Sequence, residues 1–401
     1  MIHRDFFDII NRSLFRAKGV NKLENIYLKT KSKKECNGCT ACAYVCPKNC
    51  ITMKQDNEGF IYPVIDETNC VHCNKCLTVC SNTYKQDEKR KITPFGIVHN
   101  NKEVLNKSTS GGVFYALITD LFSKPNSVCY GAAYDNTLEV KHMRAETLEE
   151  AMKFMGSKYV RSNIEGVYEL VKKDLLAGMN VLFTGTPCMT AGLYTYLKRD
   201  ADNLITCNII CHSNPSPKVF NRYIKCLELS KENKVKSVTF RAKETGWRNA
   251  TPIIELENGV KFEEDTFAKA FSRTLISRPS CSDCKFTEPY KVADITIGDF
   301  WGVEKLTNIT GIENGISLVY ANTKKGLDKI SKLKGVTKHE LDENLNYLMY
   351  NHHAPVKEHR NREKFFNKLD KTEDKDVIKL INNMSKERLL RRILKRIKII
   401  K

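Results

Sequence analysis

Cys36, Cys39, Cys42 and Cys46-Pro47, then Cys70, Cys73, Cys76 and Cys80, spell the spacing C-x2-C-x2-C-x3-C twice within one short stretch. No other feature restricts the fold so tightly. Two-residue gaps let a loop present three thiolates to one face of an iron-sulfur cube, and the three-residue gap turns the fourth thiolate toward a neighbouring cube. The crossing rule therefore assigns Cys36, Cys39, Cys42 and Cys80 to one 4Fe-4S cluster, and Cys70, Cys73, Cys76 and Cys46 to a second. Asn37 and Gly38 suit the tight loop. Pro47 stops the chain after the first run, and Ser81 stands where the second would carry a proline. Cys50 is left over and is expected only to pack.

Two other uses of cysteine fit less well. Zinc sites pair their ligands in two knuckles, whereas each loop here supplies three sulfurs. A disulfide framework needs an oxidising compartment, yet the first nineteen residues, broken by Arg4, Asp5, Asp8, Arg12 and Arg16, do not read as a secretory signal. No apolar run approaches the ~20 residues of a membrane span. The expectation is a cytoplasmic protein with reduced thiols.

The 401 residues leave room for a body well beyond the cluster module. The formal charge of +19 suggests nucleic acid, but bound cubes would offset about two charges each, and base-stacking motifs are lacking. No nucleic-acid partner is expected. Part of the excess lies between Lys386 and Lys401, which hold eight Lys or Arg and one acid. There Leu389, Leu390, Ile393, Leu394, Ile397 and Ile400 share one helical face opposite Arg388, Arg391, Lys395 and Lys398. A basic amphipathic helix of this kind docks on a partner, on its own body or peripherally on a membrane.

Along the chain, residues 1–34 read as a lead-in and 35–84 as the two-cluster domain, with strands at Ile51 to Lys54 and Phe60 to Ile65 around an Asp56-Asn57-Glu58-Gly59 turn. From Ile92 short apolar runs alternate with helical patterns, an α/β (α+β) texture. It divides into regions 92–177 and 178–345. Strands are expected at Val128 to Ala133, Asn180 to Phe183, Leu204 to Ile210, Val235 to Phe240 and Ile295 to Ile297. Residues 346–401 form a polar joint, Asp370 to Asp376, and the basic helix.

Ser108-Thr109-Ser110-Gly111-Gly112 precedes a helical pattern, Val113 to Phe122. A glycine pair opening a helix makes an anion seat, although a plain helix cap has the same sequence. No G-x-G occurs anywhere, so a Rossmann fingerprint is absent. Cys188, in Thr184-Gly185-Thr186-Pro187-Cys188, sits where a strand turns into a helix, a place that favours thiolate. Cys211 ends another strand of the same sheet, and Cys281 and Cys284 form a C-x2-C loop. These four would suffice for a third cube; the alternative is burial as small hydrophobes, the reading taken for Cys129, Cys207 and Cys226. His212 is a base, a ligand or a core histidine, with the core reading in front.

Taken together, STSGG at 108–112, VCYGAAYD at 128–135, GSKYVRS at 156–162, LFTGTPC at 182–188, CHSNPSPKVF at 211–220, RPSCSDCKF at 278–286 and ITIGDFWG at 295–302 resemble the coenzyme F420 hydrogenase/dehydrogenase beta-subunit family, in its branch with a fused two-cluster ferredoxin domain. The resemblance implies a flavoprotein oxidoreductase body that binds FAD beside iron-sulfur clusters and exchanges electrons with a redox partner protein, a reduced coenzyme or a small-molecule substrate. It strengthens the third cluster on Cys188, Cys211, Cys281 and Cys284. It also places Ser108, Thr109, Ser110, Gly111 and Gly112 at the flavin, with Lys158 and Arg161 as candidate partners of its diphosphate. Asp299 and Trp301 would border the ring, and His72 would tune one cube. A flavin takes two electrons and releases them singly, so beside cubes it interconverts the two modes. An electron-transfer subunit with no substrate of its own is the alternative reading.

Overall fold

The computed structural model describes residues 25–86, 90–198, 200–244, 246–288, 292–306, 309, 312–342 and 354–386. The basic helix expected from Leu389 to Ile400 lies outside them. The strands are β1 (Ile51–Gln55), β2 (Ile61–Ile65), β3 (Thr93–His99), β4 (Ser127–Tyr134), β5 (Val140–Ala145), β6 (Asn180–Gly185), β7 (Leu204–Ile209), β8 (Val235–Ala242), β9 (Thr251–Leu256), β10 (Lys261–Glu263), β11 (Ile295–Asp299), β12 (Ser317–Ala321) and β13 (Val336–Glu340). All seven strands expected from the sequence are present, and six more join them.

β1 and β2 pair as an antiparallel ribbon, Ile51 opposite Ile65. Its turn is built by Asp56, whose Oδ1 accepts from the amides of Glu58 and Phe60 at 3.0 and 2.9 Å. Gly59 completes the turn at φ 89°, and a Cβ there would lie 2.3 Å from Lys218 Cβ. A glycine is thus required twice over, by its dihedral and by the neighbour it abuts.

The body is one eight-stranded sheet in the order β13-β3-β12-β11-β7-β6-β4-β5. β4, β6, β7 and β11 run parallel at its centre, with antiparallel strands on either side. Such strands are covered on both faces, which is why Val181, Leu182 and Phe183 form an unbroken buried run. Strands from regions 92–177 and 178–345 interleave, with β3 between β12 and β13, so the two regions share one sheet. Helices α1 (Val113–Phe122), α2 (Val167–Leu176) and α3 (Pro187–Leu197) pack against it, α3 entering directly from β6 through Pro187 at its first position.

A second core forms where the three-stranded sheet β10-β9-β8 meets α4 (Pro217–Lys231) and the C-terminal helices Arg362–Leu369 and Val377–Met384. Phe220, Phe240, Phe267, Phe365 and Phe366 fill it. The segment Asp370 to Asp376, the expected polar joint, is pinned to α4. Asp374 pairs with Arg222 at 2.7 Å and Lys225 at 2.6 Å, and Asp370 pairs with Lys218. Acidic residues that read as solvated on their own meet a row of cations on one helix face.

Candidate redox centres and cofactor cavity

The cysteine loops owe their shape to a left-handed pair in each, Gly38 (φ 63°) with Thr40 (φ 67°) and His72 (φ 49°) with Asn74 (φ 58°), and Thr40 and Asn74 each open a single helical turn, Ala41–Tyr44 and Lys75–Thr78. Cys36, Cys39, Cys42 and Cys80 come together. Burial raises the pKa of the Cys42 thiol, followed by the nearby Cys39, Cys36 and Cys80. So many sulfurs in one buried place favour a bound metal that takes up their negative charge. Cys46, Cys70, Cys73 and Cys76 surround a separate cavity of about 210 Å³. The exchange of fourth ligands between the runs is therefore compatible with the folded chain.

Cys50 does not simply pack away from the chemistry. Its Sγ is 3.3 Å from Cys46 Sγ, and it lines the second cavity, because Asn49 at φ 49° folds the chain back on itself. His72 Nδ1 lies 3.9 Å from Cys70 Sγ, and with Glu67 these two residues bring their ligand atoms within 4.8 Å of one another.

Cys188, Cys211, Cys281 and Cys284 all line one small cavity of about 40 Å³. Cys188 is the second residue of α3, Cys211 follows β7, Cys281 lies within the turn Pro279–Asp283 and Cys284 directly follows it. Parallel strands end here side by side, the position at which open α/β sheets bind ligands. Donors surround the sulfurs: the Asn214 amide reaches Cys281 Sγ at 3.2 Å and the Phe286 amide reaches Cys284 Sγ at 3.4 Å. Burial raises the Cys211 thiol well above the ordinary range, with Cys281, Cys188 and Cys284 as the next causes.

Two buried arginines join this quartet to the first cluster loop. Arg278 is 1% exposed; its Nε donates to the Cys36 carbonyl at 2.7 Å and its Nη2 to the Ile61 carbonyl at 2.8 Å, while its plane stacks on Tyr62 at 4.4 Å. Arg161 corrects an expectation. It is absent from the large cavity described next; Nη2 donates to the Gly38 carbonyl at 2.8 Å, and Nη1 lies 3.9 Å from Cys188 Sγ. The loop before it turns the side chain inward, so its partners are a cluster loop and a thiol rather than a diphosphate.

A cavity of about 380 Å³ lies over the ends of β6, β7 and β11 and is bordered by Ser108, Thr109, Ser110, Gly112 and Lys158. It shares Cys211, His212, Ser213 and Asn214 with the small cavity, so one wall separates them. The glycine-rich loop differs in detail from an anion seat. Gly111 is packing: its N–H donates to Ser317 Oγ at 2.9 Å, and a Cβ would meet the Ile97 carbonyl at 2.2 Å. The Ser108 and Ser110 hydroxyls donate to the carbonyls of Val104 and Ile316. Thr109 Oγ1 accepts from the Ser157 amide at 3.1 Å, which leaves its own proton free. No side chain caps α1, whose first residues Val113 and Phe114 face the cavity. Lys158 Nζ gives two hydrogen bonds to the carbonyls of Lys153 and Met155, and burial pulls its pKa down to about 7. An ammonium that loses water in this way gains from an anionic neighbour.

On the far side, Asp299 and Trp301 do border the cavity. Trp301 stacks on Trp247 with ring centroids 5.2 Å apart and planes at 6°, under Arg241, while Asp299 accepts from Trp247 Nε1 at 3.2 Å. His142 was not foreseen. Its Nε2 donates to the Thr184 carbonyl at 2.7 Å, so its Nδ1 accepts from Ser162 Oγ at 2.8 Å, and burial holds its pKa down at about 4. Arg278 opens the RPSCSDCKF stretch three residues before Cys281, a position that could have marked it, whereas His142 stands beside no other candidate residue in the sequence. His212 Nε2 is buried without a hydrogen-bond partner, at the wall between the two cavities.

Residues 178–344 match the family described as the C terminus of the coenzyme F420 hydrogenase/dehydrogenase beta subunit, and residues 35–83 match the 4Fe-4S dicluster domain. No curated protein matches the chain. Among solved structures it is similar to a chain of the xenon-derivatised F420-reducing NiFe hydrogenase complex from Methanosarcina barkeri, at 20% identity over 73% of this chain and 97% of that one, with a TM-score of 0.45. No described helix is long and apolar enough to cross a membrane. Residues 35–83 are thus a two-cluster 4Fe-4S domain, and the protein is an iron-sulfur electron-transfer protein.

Proposed function

Because the chain belongs to the coenzyme F420 hydrogenase/dehydrogenase beta-subunit family, with an N-terminal 4Fe-4S dicluster domain, we propose that it is an electron-transfer subunit that relays single electrons between cubes and a flavin held in its α/β body. The observation that carries the reading is the shared wall: the quartet Cys188, Cys211, Cys281 and Cys284 lies directly against the large cavity.

The residues of that cavity suit a flavin dinucleotide. The uncapped amides of α1, the Thr109 hydroxyl and the remaining Lys158 proton would hold a diphosphate, and Trp301 with its stacked partner would flank the ring. When bound, FAD supplies the exchange between two-electron and one-electron carriers. His142, fixed as a neutral ring, lines the cavity without adding charge. Asn214 and Arg161 place donors and a positive charge beside the third set of sulfurs, which favours its reduced form.

The electrons would leave to a redox partner protein. A second reading, a small molecule reacting over the flavin, draws on the half-exposed Trp301 at the cavity rim. Anaerobic purification with iron, acid-labile sulfide and flavin counted per chain is the test. About twelve irons and one FAD are expected. A brown protein without flavin overturns the relay, and about eight irons removes the third cube from it.

A further inference from the structure

Five cysteines, not four, line the second cluster cavity: Cys46, Cys50, Cys70, Cys73 and Cys76. The surplus sulfur is not at the edge. Cys50 Sγ touches Cys46 Sγ at 3.3 Å and also interacts with Cys70. Two sulfurs in contact cannot each serve a different iron of one cube, because ligands on separate corners diverge. They address the same corner. Their convergence is built into the backbone: the Asn49 amide donates to the Cys46 carbonyl at 3.2 Å, Asn49 is left-handed, and the Cys50 carbonyl is fixed by the Asp66 amide at 2.8 Å at the entrance to β1. Cys50 is 6% exposed and anchored at the strand, whereas Cys46 is half-buried on the turn.

This cluster site is also the more open of the two. Cys73 is exposed, and Val71 in the same loop is 54% exposed, whereas Cys36 and Cys39 of the first set are buried. An accessible cube is the one that loses a ligand most readily.

We propose that Cys50 is a reserve ligand of the second cluster, sharing one iron corner with Cys46 and taking it over when Cys46 is displaced. In the exchange the iron-sulfur bond to Cys46 breaks as that to Cys50 forms. The Cys50 proton crosses the short sulfur-sulfur contact to the departing thiolate, and no electron changes hands. The inference depends on the dicluster domain alone and stands apart from the flavin and the third cube.

The test uses the full chain, purified without oxygen, with iron and sulfide counted and the dithionite-reduced protein examined by electron paramagnetic resonance. Cys46→Ala and Cys50→Ala are each expected to keep the wild-type iron content, the former with altered resonances of one cluster. The double variant Cys46→Ala/Cys50→Ala is expected to lose about four irons, as does Cys73→Ala, while the first cluster's signal persists and certifies the fold. Loss of about four irons in either single variant overturns the proposal, and so does full retention in the double variant.

Discussion

At the scale of single residues, buried cations and a neutral ring decide how the sites are held. Arg278 satisfies the carbonyls of Cys36 and Ile61 while lying under Tyr62. Arg278→Met leaves both carbonyls without that donor, at about 1–3 kcal/mol each where no water reaches them. A fall in stability of about 3 kcal/mol is expected in chemical denaturation of the holoprotein. His142 acts through pH. Its folded pKa, about 4, lies below the ordinary 6.5 chiefly because of burial, so the unfolded chain takes up the proton first as pH falls. Its contribution is fully present above pH 6.5 and is lost between 6.5 and about 4, by about 3 kcal/mol. Denaturation midpoints of wild type and His142→Gln across that window should show the wild type with the steeper dependence.

At the scale of elements, α3 is the joint between body and cluster domain. Gly192 lies in its middle, where a Cβ would meet Tyr168 Oη at 2.7 Å and Cys39 Cβ at 2.9 Å. Gly192→Ala gains about 1 kcal/mol of helix propensity but forces the Cys39 loop outward, and overpacking of this kind costs about 1–3 kcal/mol. A net loss of thermal stability is expected, together with a changed resonance of the first cluster alone. Such contacts also explain what was legible in the sequence. Cysteine spacing is local, so both cluster loops and the strand-to-helix turn at Cys188 read directly from it. The central strands read equally well, because parallel strands are continuous apolar runs. β5 and β13 did not, since Lys141, Arg144, Lys338 and Glu340 interrupt them at the sheet edges. The partners of Arg161 and Cys50 were less legible, because the Gly38 carbonyl is far from Arg161 in sequence and the Cys46 contact depends on the left-handed Asn49, neither of which composition reveals.

At the scale of the whole molecule, two cluster loops, a third cysteine quartet and the large cavity are arranged in series, joined by Arg161, Arg278 and the Asn37 loop. If the series is the electron route, Cys211→Ala interrupts it in the middle. The variant is expected to lose about four irons, to keep both clusters of the N-terminal domain, and to pass electrons from them to bound flavin at least tenfold more slowly in stopped-flow absorbance. An unchanged rate would place the quartet off the route. The ribbon tip at Gly59 bears on Lys218, and Glu58 forms an ion pair with Arg362 at 2.5 Å. Held there and by the bonds of Arg278 to the Ile61 and Cys36 carbonyls, the N-terminal domain is no swinging arm. An external donor must travel to a stationary port, so its supply rate is set by bimolecular encounter and rises in proportion to carrier concentration.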